Sequence, residues 1–210
     1  MPSDIDIANL ALTKLGQQRI LSFVDNVKSA RSLNAIYAME RDNEIRAHQW
    51  SFAMKRILLP ALVDAPAFGY SHAYQLPDDY LKLIQAGRFS PGGMGDVISP
   101  GSTRVLGLVV DGSDYRIEGQ TIVTNFPAPL GIRYMRKVTD PNQFDSCFVM
   151  ALACRLAMEM AEDLIQTANK RQLAQGEYKA AIMAAIRANA IELPPDPLPD
   201  HSWLISRLPG

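Results

Sequence analysis

The sequence predicts an α+β fold: an antiparallel helical bundle that carries an inserted small antiparallel β domain and ends in an extended C-terminal arm. Residues 1–56 and 139–190 show apolar residues at helical spacing behind capping residues, which favours helices. The middle has short alternating runs broken by Pro and Gly, which is typical of strands. Five prolines among residues 191–210 argue against a helix there and favour an extended segment.

These patterns divide the 210 residues into three parts. Residues 1–56 and 139–190 are predicted to form the helical body. Residues 57–138 are predicted to form the inserted β-rich domain, and residues 191–210 the arm. A chain of this length can bury a substantial core without disulfides.

The first helix is predicted over Asp4–Leu15, because Ser3 is a good N-cap and Gly16 a good C-terminal stop. The second helix is predicted over residues 26–48, with Asp25 as its cap. Its predicted buried stripe contains Ala30, Leu33, Tyr37 and Ile45. Its predicted exposed face contains Arg41, Asp42, Glu44 and Arg46, with an i,i+4 ion pair between Asp42 and Arg46.

Six short runs in the middle of the chain are predicted strands: 72–77, 80–86, 104–110, 115–119, 121–125 and 130–138. The best hairpin is 115–125, where Gly119 can supply the positive φ of a tight turn. Residues 90–103, SPGGMGDVISPGST, are so rich in Gly, Pro and Ser that they predict an irregular loop or hairpin tip.

Helical signals return near residue 140, where Asp140, Pro141 and Gln143 suit the cap and first turn of a helix. The helix, 142–166, is apolar on nearly every face, so it is expected to be buried on all sides. Arg155 and Glu159 on it must therefore pair with each other, or with groups on a neighbouring helix or chain. A last helix is predicted over 169–189, and it carries the apolar residues Leu173, Ala180, Met183 and Ile186.

Chemistry-bearing motifs are lacking in the sequence. The three histidines have no metal-ligand spacing, Cys147 and Cys154 are too far apart on one helix for a disulfide, and no nucleophile motif is present. We therefore expect no catalytic residue, no cofactor and no metal site. The net charge of −1 gives no global attraction to nucleic acid, and no segment predicts a membrane span or a signal peptide, so we expect a cytosolic protein.

Three groups of residues are candidates for contacts rather than catalysis. His48, Trp50 and Phe52 are predicted to join the helical body to the β domain, with Trp50 and Phe52 on one face of a strand. A basic strip that faces DNA or a partner is expected if the strands that carry it are neighbours; otherwise its members are solvated on a sheet surface. The strip consists of Lys55, Arg56, Arg133, Arg136 and Lys137. The arm is expected to dock on another chain through Trp203, Leu204, Ile205, Arg207 and Leu208.

The order of several motifs resembles the head-to-tail adaptor family of short-tailed bacteriophages, also called tail tubular protein A. The motifs are ANLAL with LG in the first helix, the Ala-Arg-x-x-Asn start of the second helix, Trp-x-Phe after it, and LPDDYL. The similarity covers about 90 residues; beyond them only the pattern of elements is similar.

The resemblance implies a structural virion protein in the neck and tail, present in the host cytoplasm during assembly. Twelve copies are expected to form a ring that joins the portal protein to the tail nozzle protein, with DNA passing through its lumen without sequence-specific binding. Two alternatives stay open: a soluble α+β enzyme or small-ligand binding module, and another minor tail protein.

Overall fold

The computed structural model describes residues 2–90, 93–98, 115–165 and 168–192. The described residues contain four helices: α1 (Asp4–Leu15), α2 (Lys28–Ala47), α3 (Ser146–Ile165) and α4 (Ala168–Glu192). They also contain seven strands: β1 (Met54–Leu59), β2 (His72–Gln75), β3 (Tyr80–Ser90), β4 (Gly93–Ile98), β5 (Tyr115–Glu118), β6 (Thr121–Thr124) and β7 (Leu130–Arg136). The α+β class predicted from the sequence is confirmed.

Helix α1 has the predicted bounds because its two ends are capped locally. The Ser3 hydroxyl accepts a hydrogen bond from the Asp6 N–H at 3.1 Å, and the Asp6 carboxylate accepts one from the Ser3 N–H at 2.9 Å. This capping box satisfies two N–H groups that a helix start otherwise leaves unpaired. Gly16, at φ 70°, closes the other end in the left-handed region.

Helix α2 starts later than predicted, at Lys28, and its N-cap residue Val27 makes no side-chain cap. The predicted cap, Asp25, instead accepts hydrogen bonds from the N–H groups of Leu21 (2.8 Å) and Ser22 (3.1 Å), so its carboxylate braces the preceding loop. The predicted stripe of Ala30, Leu33, Tyr37 and Ile45 is buried, as expected.

The predicted charged face of α2 is wrong in two respects. Arg41 and Glu44 are buried, with only 6% and 4% of their surface exposed. Asp42 binds Arg41 at 2.8 Å and Lys137 at 2.9 Å, whereas Arg46 donates to the Leu81 carbonyl, so the Asp42–Arg46 pair is absent. Tyr178 and Arg155 of the later helices contact Glu44, whereas Asp42 and Arg46 bind the β insertion. A pattern within one helix cannot reveal such contacts.

The strands form two antiparallel sheets, ordered β1-β7-β3-β4 and β2-β6-β5. The predicted β5–β6 hairpin is confirmed: Glu118 pairs with Thr121, and Gly119 has φ 60° at the turn. For residues 90–103, the prediction of an irregular loop is wrong over Gly93–Ile98, which forms strand β4 beside β3. The alternative of a hairpin agrees with the antiparallel pairing of Ser90 with Gly93. The rest of that loop after Ile98, and the predicted strand 104–110, lie outside the described residues.

The helical pair α3–α4 begins differently from the prediction. Asp140, Pro141 and Gln143 form a separate 3₁₀ turn, Pro141–Gln143, rather than the start of α3. Helix α3 begins at Ser146, where the Asp145 carboxylate accepts from the N–H groups at 147 and 148 at 2.7 and 3.3 Å. The predicted burial on all sides holds in the middle of α3, over residues 151–157, where all but the half-buried Arg155 are buried. Toward the ends of the helix Met150 and Glu162 are exposed.

Helix α4 extends to Glu192, so residues 191 and 192 are helical rather than part of the arm as predicted. Two of the apolar residues on this helix are exposed: Leu173 is 63% exposed and Met183 is 51% exposed. The opposite side is buried instead, through Ala174, Ile182 and Ala185. Helix α4 carries apolar residues on two faces, so the sequence pattern alone could not say which face meets the body.

Two hydrophobic cores meet at the larger sheet. Ile84 and Met135 belong to the core of the helical body, whereas their chain neighbours Leu83 and Tyr134 belong to the core between the two sheets. Adjacent strand residues point to opposite faces, so β3 and β7 are shared by both cores. The β insertion is thereby packed firmly against the helices.

Candidate functional site

An aromatic cluster lies where the chain passes from α2 to β1. Trp50 is 1% exposed, and its ring meets Phe148 of α3 edge-on at 5.0 Å. Phe52 also lies 5.0 Å from Phe148, and His48, the C-cap of α2, lies 5.8 Å from Trp50. Phe52 lies in a 3₁₀ turn, Ser51–Ala53, and Trp50 directly precedes it, so neither residue is on a strand as predicted. Both still anchor this joint to α3.

The end of α4 is fastened to the same joint. The Asn189 side chain accepts a hydrogen bond from the Ser51 N–H at 2.8 Å and donates one to the Gln49 carbonyl at 2.6 Å. The Trp50 indole N–H donates to the Glu44 carbonyl at 2.9 Å, at the end of α2. Helices α2, α3 and α4 therefore all contact residues 48–52.

A buried ion cluster connects the same three helices. The predicted pair of Arg155 and Glu159 is present at 3.0 Å, and Arg155 also donates from Nε to Glu40 of α2 at 2.9 Å. The Arg155 guanidinium lies 5.5 Å from the centre of the Tyr178 ring of α4. The neighbouring-helix partner expected for Arg155 is therefore supplied by the same chain.

Glu44 is the least satisfied member of this cluster. It is 4% exposed, and its Oε1 accepts a hydrogen bond from the Tyr178 hydroxyl at 2.6 Å. Its Oε2 has no hydrogen-bond partner among the described residues. Burial raises the pKa of Glu44 above its ordinary 4.5, and the opposing effects of Tyr178 and Arg155 do not offset it.

We expect Glu44→Gln to change how stability depends on pH. A carboxyl whose pKa is raised by folding favours the folded state below its unfolded pKa and costs stability as pH rises through the folded pKa. The free energy of unfolding of the wild type should therefore fall above pH 4.5 relative to that of Glu44→Gln. Urea unfolding from pH 4 to 8 measures this difference. Parallel pH profiles of the two proteins would contradict it, and Glu162→Gln at an exposed ion pair is the control.

The predicted basic strip is divided by the structure. Strands β1 and β7 are neighbours, and Arg56 pairs directly with Arg133, so these two share one face. The other members are occupied by partners: Lys55 binds Asp79 at 3.0 Å, Arg136 binds Gln143 at 2.5 Å and Lys137 binds Asp42 at 2.9 Å. The neighbouring strands that the strip requires are therefore present, but two of its five cations, Lys55 and Lys137, are paired with carboxylates.

The residues predicted to dock the arm, Trp203, Leu204, Ile205, Arg207 and Leu208, are outside the described residues.

A cavity of about 40 Å³ lies between α1, α3 and α4 beside Lys14 and Cys154. This volume suits a few water molecules rather than a metabolite.

Sequence reasoning missed Glu40 and Tyr178 as members of the ion cluster. Glu40 and Glu44 lie three and seven residues after the buried Tyr37, so helical periodicity alone could have placed both on the inward side of α2. Tyr178 carried no comparable signal, because its role depends on how α4 docks.

Among the described residues, no cluster of three or more His, Cys, Asp or Glu side chains is arranged to hold a metal ion. None of the described helices is long and apolar enough to span a membrane. No protein-family model matches the chain, and no curated protein is similar enough to assign it to a family.

Proposed function

We propose that the protein is a structural adaptor of a short-tailed phage virion, a ring-forming subunit between the portal and the tail nozzle. The sequence resemblance supports this proposal, and one structural observation carries it. Large apolar side chains are exposed on three separate segments while the interior is well packed. These side chains are Leu21 (89%), Val24 (85%), Val63 (102%), Phe68 (89%), Leu173 (63%) and Met183 (51%).

A ring subunit needs two different surfaces that fit each other, because a heterologous interface closes only when each copy contacts two neighbours. Exposed apolar residues on the α1–α2 connection, on the β1–β2 connection and on α4 provide more than one such surface. Solvent-exposed apolar groups that cluster on one segment commonly mark sites of association.

The α1–α2 connection is well ordered for binding. The Asn9 side chain donates to the Ile20 carbonyl at 2.9 Å and accepts from the Ile20 N–H at 2.8 Å, so both backbone groups of this residue are fixed. Asp25 braces the residues that follow. Leu21 and Val24 are thus presented on a constrained loop, which lowers the entropy lost when a partner covers them.

The charge distribution is compatible with a DNA conduit. The chain has a net charge of −1, and three of the five residues in the predicted basic strip are bound to acidic or amide side chains. Strong phosphate contacts would retard moving DNA, so a near-neutral wall suits passage.

We expect that deleting residues 193–210 leaves a folded subunit that no longer attaches to the portal ring. The deletion begins after the last described residue of α4, so it keeps the Asn189 contacts that fasten this helix. Circular dichroism checks folding, and sedimentation with portal rings purified from the same phage checks attachment. Full attachment by the truncated chain would refute the role of the arm, whereas failure of the intact chain to attach would refute the adaptor function.

The alternative of a small-ligand module predicts no binding to portal rings and a higher melting temperature in the presence of a ligand. A chain that ignores portal rings but gains several degrees of melting temperature with a metabolite would favour a binding protein or enzyme. Electron microscopy of the particle neck would separate an adaptor from another minor tail protein.

A further inference from the structure

Helix α4 has an outward face that is almost without charge. The residues on this face are Leu173, Gly176, Ala180, Met183, Ala184, Arg187 and Ile191. At 100° per residue they lie on one side of the helix, opposite the buried Ala174, Ile182 and Ala185. Leu173, Met183 and Ile191 are 63%, 51% and 86% exposed. A solvated helix face normally carries charged and polar residues, so this face has the composition of one that is covered.

The chain that leaves α4 starts at the end of this face. Ile191 is its last apolar residue, and the sequence after Glu192 is LPPDPLPDHSWLISRLPG. The stretch from Ile191 back to Leu173 is about 27 Å long at ~1.5 Å per residue. The 11 residues from 193 to 203 reach roughly 34 Å at ~3.1 Å per residue in extended proline-rich geometry, which suffices for a reversal and a return along the helix.

Charge and apolarity on the two segments are complementary. Arg187 and Lys179 are exposed and have no carboxylate partner among the described residues. The only acidic residues after Glu192 are Asp196 and Asp200. The apolar residues Trp203, Leu204 and Ile205 follow these two acids, at the distance along the chain that matches the Leu173 end of the face.

We propose that residues 193–210 fold back and dock along the outward face of α4 in the same chain. Asp196 and Asp200 face Arg187 and Lys179, and the segment around Trp203 covers the apolar side chains toward Leu173. A tethered segment acts at a high effective concentration, and its prolines limit the entropy lost on docking. This docking does not depend on the adaptor function. In an adaptor, release of the arm from α4 would free the arm for the portal and uncover Leu173 and Met183 for a neighbouring subunit.

A photo-cross-linking amino acid in place of Met183 tests the docking in the full-length chain. We expect cross-links from position 183 to residues 193–210 within one chain, identified by the mass of the product and by peptide mapping. The same label in place of Met39 is the matched control, because Met39 is a methionine of similar exposure (56%) on α2. Cross-links from position 183 to a second copy of the chain would overturn the proposal. So would cross-links to residues 193–210 that are no more frequent from position 183 than from position 39.

Charge substitution tests the orientation of the docked segment. In the labelled chain, Arg187→Glu should lower the cross-linked fraction by about threefold at low salt, because a surface attraction becomes a repulsion. Adding Asp196→Arg to Arg187→Glu should restore the fraction. An unchanged fraction in Arg187→Glu would contradict the proposed pairing. Portal attachment is measured separately, so a failure here leaves the adaptor function to its own test.

Discussion

Trp50→Ala is expected to lower the free energy of unfolding by about 3–5 kcal/mol, the range for truncating a large aromatic side chain in a core. Trp50 is 1% exposed and packs against Phe148 at a centroid distance of 5.0 Å. Its indole N–H also donates to the Glu44 carbonyl, which ties the end of α2 to the joint. Truncation would leave a cavity where the helices converge, so assembly should be impaired together with folding.

Urea unfolding of two further variants provides the free energies of unfolding with which that of Trp50→Ala is compared. Phe68→Ala removes an aromatic ring that is 89% exposed, so its effect should stay within about 0.5 kcal/mol. Trp50→Phe keeps most of the packing but loses the indole hydrogen bond, and should fall between the two. A Trp50→Ala loss no larger than that of Phe68→Ala would show that the joint is not part of the folding core.

Arg155→Met is expected to cost a similar amount, about 3–5 kcal/mol, because it removes the cation from a buried cluster of carboxylates. The Glu40 and Glu44 side chains are only 7% and 5% exposed, and Arg155 lies 2.9 Å from the first and 3.9 Å from the second. Methionine has similar length but no charge, so the two carboxylates would remain buried without their counter-ion. Urea unfolding at neutral pH measures the loss.

Two controls separate this charge effect from lost packing. Adding Glu40→Gln to Arg155→Met should recover much of the stability, since it removes one of the stranded charges. Arg171→Met breaks an exposed pair with Glu162 and should cost no more than about 1 kcal/mol. A loss in Arg155→Met that Glu40→Gln does not reduce would indicate packing rather than unpaired charge.

Local signals in the sequence predicted local structure well. The Ser3–Asp6 capping box and Gly16 define α1 through contacts within a few residues, and Gly119 defines the β5–β6 turn in the same way. Such contacts are readable because both partners are close along the chain. The pair of Arg155 and Glu159 was predictable for a related reason, because a buried charge requires a partner and helical spacing offers one.

The errors arose where distant parts of the chain decide the outcome. Arg46 donates a hydrogen bond to the Leu81 carbonyl of the β insertion instead of pairing with Asp42. The spacing of residues within α2 cannot predict a contact with a distant strand. Strand β4 forms in a Gly-rich segment because pairing with β3 overrides its weak strand propensity. On α4, Leu173 and Met183 are apolar yet exposed, because the position of α3 decides which side of the helix is buried.

The pairing of β1 with β7 also bears on the order of folding. Met54 and Met135 are direct partners, so this contact closes a loop of about 80 residues between α1–α2 and α3–α4. Closing such a loop costs roughly 4 kcal/mol of chain entropy from the logarithmic length dependence alone. Once β1 and β7 have paired, the two halves of the body are joined by short segments and can find each other quickly. We therefore infer that the pairing of β1 with β7 brings together, during folding, the two helical halves that are far apart in the sequence.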